Sequence, residues 1–188
     1  MTVLQDSEIA REIAYGNLTV EPVNLDEQLQ PASLDIRIGD EVSWYEGTEI
    51  TMDSRENSPE DYLVSESLDE DGSVLVEPGD FFLFNTEEYI EIPDYLECEV
   101  RGRSSYGRLG LEVHSTAGLV DPSFHGKLVL EVSNNSQHPI RLYRGDRIAQ
   151  LVFNEMVGSA NVGYGDKEDS KYQGQEGAVG SRVNQDHE

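Results

Sequence analysis

Beyond residue 16 the chain is punctuated like a β protein: short apolar runs are cut by turn signals at close intervals. Runs at Leu34–Ile38, Val74–Val76, Phe81–Phe84, Leu111–His114, Lys127–Ser133 and Ile148–Phe153 read as strands. Pro78-Gly79, Pro93-Asp94, Asp121-Pro122, Asn134-Asn135 and Arg144-Gly145-Asp146 separate them. Many short strands at this spacing predict an all-β sandwich or jelly-roll-like barrel. The exception is a short helix predicted over 7–15. There Ile9, Ala10 and Ile13 share a face, Asp6 or Ser7 can cap the start, and Gly16 can end it. With 188 residues, 1–188 is read as one domain able to bury a proper core.

Two segments depart from this pattern. Residues 47–73 are acidic and carry scattered Ser, Asn and Pro, which suits a surface excursion with a short hairpin. From 158 to 188 the chain turns polar and Gly-rich, the composition of a tail that is mobile when free. Yet it holds Tyr164, Lys171, Tyr172 and Gln175, which a merely solvated tail does not need. Composition alone leaves a disordered terminus and a segment with a role equally open.

The formal charge of −25 excludes nucleic acid polymers and anionic membranes as natural partners. Only three of the 13 basic residues are lysines, Lys127, Lys167 and Lys171. An acidic, lysine-poor surface is expected of a protein from a high-salt cytoplasm, where a Debye length of about 3 Å at 1 M screens self-repulsion. No apolar run approaches the length of a membrane span, and the first residues do not read as a signal peptide, so a cytoplasmic location is expected. Cys98, the single cysteine, allows neither an internal disulfide nor a cysteine-rich zinc site. Against the acidic background, Arg101, Arg103, Arg108, Arg141, Arg144 and Arg147 cluster in one window, which suggests a site for a small, highly charged anion.

Three stretches carry chemistry. Arg101-Gly-Arg-Ser-Ser-Tyr-Gly-Arg108 combines Gly102 and Gly107, for close backbone approach, with two hydroxyls and three guanidinium groups. These are parts for holding phosphate oxygens, although composition alone favours an ordinary basic turn. In Lys127–Ser133, strand alternation puts Leu128, Leu130 and Val132 on one face and Val129, Glu131 and Ser133 on the other. If that second face is enclosed, desolvation suits Glu131 to proton transfer; on a wet face it is an ordinary exposed glutamate. In Gly118–Gly126, Phe124 offers an aromatic face and Asp121 an acceptor, or the segment is a hairpin with a packed Phe. His114 and His125 show no metal-binding spacing.

Taken together, these segments resemble the dCTP deaminase family, within the dUTPase-like superfamily. The likeness runs through Gln30-Pro-Ala-Ser-Leu-Asp-Ile-Arg37, Glu77-Pro-Gly-Asp80 and Arg103-Ser-Ser-Tyr-Gly-Arg-Leu-Gly110. It continues through His114-Ser-Thr-Ala, Gly118, Asp121-Pro122 and Gly126-Lys-Leu-Val-Leu-Glu131. Gly145-Asp-Arg-Ile-Ala-Gln150 and Lys171-Tyr-Gln-Gly-Gln175 close it. Each piece is weak alone; their order and spacing make the signal. The resemblance implies a dUTPase-like distorted jelly-roll or β-barrel, and a homotrimer with active sites between subunits. It implies dCTP as substrate and Mg²⁺ held by the nucleotide phosphates, with no metal ligand from protein side chains.

By match to the family's motifs, Glu131 is the proton shuttle for a water attacking cytosine C4, and Ser104 and Arg108 help position that water and the glutamate. Arg103, Ser104, Ser105 and Arg108, with Tyr106 and Gly107 of the same turn, line the phosphate and base region. Asp121 sits by the sugar, and the backbone around Val129 and Leu130 reads the base edge. Gln150, Tyr164, Lys171 and Gln175 complete the nucleotide site, the last three from a tail that closes over it. Zinc deaminases use H-x-E and P-C-x-x-C, which a chain with one cysteine cannot supply.

Two rivals remain at this stage, a dUTPase and a non-enzymatic jelly-roll binding module. Glu131 argues against the first, because family dUTPases carry an apolar residue there; the Arg-Ser-Ser turn together with Glu131 argues against the second. For the end product, Thr116-Ala-Gly-Leu119 resembles members that also release pyrophosphate and yield dUMP, the precursor for thymidylate synthesis. A small Gly118 beside Leu119 is expected to leave room for a water near the α-phosphate. Gly177-Ala-Val-Gly-Ser-Arg182 looks more like the tail of members that release dUTP.

Overall fold

The computed structural model describes residues 2–47, 51–55 and 59–187. β1 (Thr2–Val3) leads into helix α1 (Asp6–Ala14), followed by β2 (Thr19–Glu21), the one-turn α2 (Leu25–Gln28) and β3 (Leu29–Gln30). β4 (Ser33–Tyr45), β5 (Leu63–Ser67), β6 (Ser73–Val76), β7 (Phe81–Glu91) and β8 (Leu96–Gly102) come next. After the helical turn α3 (Ser104–Gly107) come β9 (Leu111–Val113), β10 (Leu119–Val120), β11 (His125–Asn134), β12 (Ile140–Tyr143) and β13 (Arg147–Glu155). The chain adopts the expected all-β architecture.

The main sheet runs β10-β8-β13-β4-β7-β11-β9, with each adjacent pair antiparallel. β1 extends it beside β13, β2 beside β7, and β3 and β5 beside β4, while β6 and β12 form a separate ribbon. Its curled interior buries Leu34, Ile36, Ile38, Phe84, Ile90, Leu130, Leu151 and Phe153, each at most 1% exposed. Each strand contributes alternate residues to that interior, the period-2 pattern that selects sheet over helix.

The central strand β4 is buried on both faces, and its outward side chains are charged. Asp35 is covered by Arg103 (Nε–Oδ2 3.1 Å) and Arg147 (Nη1–Oδ2 3.4 Å), and Arg37 reaches the fully buried Glu88 at 2.7 Å. Burial pushes the carboxyl pKa of both Asp35 and Glu88 up, with the arginines opposing. Such pairs are weak sources of net stability, but removing one partner leaves a costly buried charge.

Three expectations are adjusted. α1 begins one residue early, and its N-cap is Gln5 with no side-chain cap bond; Asp6 Oδ1 instead accepts from Ser7 N at 2.7 Å. β1, β2, β3, β8, β10 and β12 are not among the expected strands. In β8, Leu96, Cys98 and Val100 alternate with Glu97, Glu99 and Arg101, a half-buried pattern hidden by its charges. Within the expected excursion, 48–50 and 56–58 lie outside the described residues. Its later part supplies β5, which pairs with β4 to make a hairpin.

Candidate active site

β11 builds the floor of a cavity of about 460 Å³, a size in the range of small-molecule sites. Leu130 and Val132 turn into the core, Leu128 is buried at the cavity's edge, and Val129 and Glu131 face the cavity. The strand's second neighbour, β9, is followed directly by His114, whose backbone N–H donates to the Glu131 carbonyl at 3.0 Å. His114 takes a positive φ of 50°, which is uncommon for a residue with a Cβ. Its ring lines the cavity, and both ring nitrogens are buried with no hydrogen-bond partner among the described residues. Burial lowers its pKa, and the neighbouring Glu131 carboxylate opposes that shift. A carboxylate and an imidazole with open hydrogen-bonding capacity therefore share one largely apolar chamber.

The remaining walls come from three directions. Tyr45, Phe81 and Leu83 belong to β4 and β7; Ala117, Leu119, Val120, Asp121 and Phe124 belong to the segment around β10. The tail supplies Tyr164, Tyr172, Gln175, Val179, Gly180 and Ser181. It is fastened down by Glu41 Oε1 accepting from Ala178 N at 2.8 Å and Tyr45 Oη accepting from Ser181 N at 2.7 Å. Ala178 is fully buried as a result.

Of the predicted residues, Glu131, Val129, Asp121, Leu119, Tyr164 and Gln175 meet at this cavity. The side chain of Leu130 points into the core, which leaves only its backbone to serve the site. Arg103, Ser104, Ser105, Tyr106, Gly107 and Arg108 form α3 and its flanks, away from the cavity lining of their own chain. Arg103 is held by Asp35 and donates to the Arg147 carbonyl at 2.8 Å. Gln150 lies beside that turn, with Nε2 donating to Gly102 O at 3.3 Å and Oε1 accepting from Ser33 Oγ at 2.8 Å.

Two expectations need correction. Lys171 does not line the cavity, because its ammonium pairs with Asp186. Gly118 does not provide open space: a Cβ there would lie 2.8 Å from the Val100 carbonyl oxygen, and Gly118 O accepts from Val100 N at 2.7 Å. Close backbone approach, not room for water, accounts for a glycine at 118. Sequence reasoning gave no site role to His114, Tyr45 or Phe81. For His114 the available signal was its place at the end of a strand-like run ahead of Ser115-Thr116-Ala117; for the other two there was none.

The family described as dCTP deaminase-like matches residues 3–156. The chain belongs to the dCTP deaminase-like family. A protein of Halobacterium salinarum named "dCTP deaminase, dUMP-forming" is 42% identical over 190 residues, covering 99% of this chain and 97% of that protein. One of the same name from Methanosphaera stadtmanae is 38% identical, covering 99% and 96%. Among solved structures, 2'-deoxycytidine 5'-triphosphate deaminase from Agrobacterium tumefaciens superposes with a TM-score of 0.64 at 25% identity. The match covers 81% of this chain and spans 47% of that one. In this dCTP deaminase-like chain the family match ends before the tail, although the curated relatives align through it.

Proposed function

We propose that the chain hydrolyses dCTP at cytosine C4 and then releases pyrophosphate, consuming two waters and giving dUMP, ammonia and pyrophosphate. The observation that carries this reading is Glu131, a carboxylate that lines the cavity from within the apolar run Leu128–Val132. Glu131 takes a proton from the water as its oxygen bonds to C4. It delivers that proton to N3, then passes the proton remaining on the C4 hydroxyl to the amine, so that C4=O forms as the C4–N bond breaks and ammonia leaves. The cavity's apolar walls keep bulk water from competing for those protons. Asp121 is suited to the sugar, and the backbone at Val129 and Leu130 to the base edge. Relatives named for dUMP formation support the second step.

The reading includes a homotrimer. The Arg103–Arg108 turn and Gln150 sit outside their own cavity, so in the proposed assembly a neighbouring copy supplies them, with Arg103 and Arg108 facing the triphosphate. Ser104 and Arg108 then also orient the attacking water. The reading also includes a Mg²⁺ carried by the triphosphate oxygens. Bound there, it would offset phosphate charge. The proposed setting is a cytoplasm rich in salt; among the described residues no helix is long and apolar enough to cross a membrane.

Glu131→Gln tests the proposal. Ammonia release from dCTP should fall by on the order of 10²-fold or more while nucleotide binding persists. Turnover near the wild-type rate would remove Glu131 from the mechanism.

A further inference from the structure

Gln173 lies in the tail, and two backbone groups fix the orientation of its amide. Its Oε1 accepts from His125 N at 3.2 Å and its Nε2 donates to Ser123 O at 2.9 Å. Turning the amide over would set N–H against N–H and oxygen against oxygen. The second hydrogen on Nε2 therefore serves His125 Nδ1, 2.7 Å away. An amide NH₂ only donates, so Nδ1 must present a lone pair and the proton of the neutral ring sits on Nε2. Around this contact, Gly174 N donates to His125 O (2.8 Å), Lys127 N to Gln175 O (2.8 Å) and Gln175 Nε2 to Lys127 O (2.9 Å). Gln173 also packs against the Tyr164 turn, where a Cβ on Gly165 would lie 2.6 Å from Nε2.

We infer that Gln173 is a positioning residue for the tail, and that His125 makes its hold conditional on a neutral imidazole. Protonation places an N–H at Nδ1, facing the N–H of Gln173. Two donors then oppose each other, and the tail loses one of the contacts that hold Tyr172 and Gln175 at the cavity. Closure is therefore favoured with the neutral ring and weakens in acid. Other ionisable groups on this face are Glu91, directly opposite on β7, and Tyr89, whose ring centroid is 6.5 Å away. Glu21 on β2 and Glu176 in the tail neighbour Tyr89, and Lys127 follows on β11 itself. Lys127 is engaged with Asp40 at 3.6 Å and Glu91 with Thr19 at 3.5 Å.

The test follows hydrogen exchange of the 171–182 segment in the intact, unliganded protein from pH 8 to pH 5, corrected for intrinsic exchange. Wild-type protection should fall about tenfold, the scale of one net hydrogen bond lost. His125→Asn keeps an acceptor close to the Nδ1 position without titrating there, and its protection should stay flat. Gln173→Ala should be poorly protected throughout. A second arm, which rests on the proposed activity, expects the KM for dCTP to rise about tenfold over the same range in wild type and not in His125→Asn. A wild-type exchange profile as flat as that of His125→Asn overturns the inference. The expected exchange profiles in a protein that does not turn over dCTP uphold it and overturn the activity reading instead.

Discussion

The floor and the cover of the cavity are made in different ways. The floor is sheet: β11 is paired on both edges, by β7 and β9, and half of its side chains are core. The cover, residues 158–187, contains no strand among the described residues, only short 3₁₀ turns at Tyr164–Asp166 and Val183–His187. It is held largely by side chains reaching backbone groups, as from Glu41, Tyr45 and Asn85 to Ala178, Ser181 and Glu176. The floor cannot shift without unmaking the ladder and the core beneath it. Each tether of the cover contributes about 1 kcal/mol, so the cover can leave while the fold stays. The carboxylate proposed for chemistry sits on the rigid half, and enclosure of the ligand is left to the releasable half.

The largest effect is expected from the floor. Leu130→Ala empties a fully buried position directly before Glu131 and should cost about 2–5 kcal/mol, read as a lower urea midpoint. A cost below about 1 kcal/mol would mean that the floor is not the rigid half. At the junction of the two halves, Gly118→Ala should depress ammonia and pyrophosphate release together, because its Cβ meets the Val100 carbonyl. Leu119→Arg, at a 61% exposed position on the cavity margin, should instead raise the ratio of dUTP to dUMP by about tenfold by displacing a positioned water. Product chromatography separates the two patterns.

Smaller effects belong to the cover. Tyr45→Phe removes the acceptor for Ser181 N and should raise the KM for dCTP about fivefold, with the melting temperature within about 2 °C of wild type. A matching loss of stability would erase the contrast. The smallest effect is that of moderate dilution of salt. The cover carries Asp166, Glu168, Asp169, Glu176 and Asp186 on a chain of net charge −25, so lengthening Debye distances should strain it first. Between 1 M and 0.3 M salt, KM should rise about threefold before the melting temperature moves.

Legibility in the sequence follows the same division. The faces of β11 could be read from Lys127–Ser133, because strand alternation is local and one face is apolar. β8 could not, since Glu97, Glu99 and Arg101 obscure a half-buried strand whose partners lie far along the chain. The tail's aromatic residues marked it as more than solvated chain, but its anchors Glu41, Tyr45 and Asn85 are more than 80 residues away in sequence and carry no motif. Gly118 was legible as small, but the reason is a carbonyl on another strand, which only the fold brings near.

The anchors Glu41, Tyr45 and Asn85 belong to the chain that carries the cover, so the closure they hold is a tethered event whose local concentration does not depend on how much protein is present. Among the described residues the Arg103–Arg108 turn does not line its own cavity. Dilution should therefore act on the two contributions unequally, thinning out whatever a neighbouring copy lends while each chain keeps its own lid.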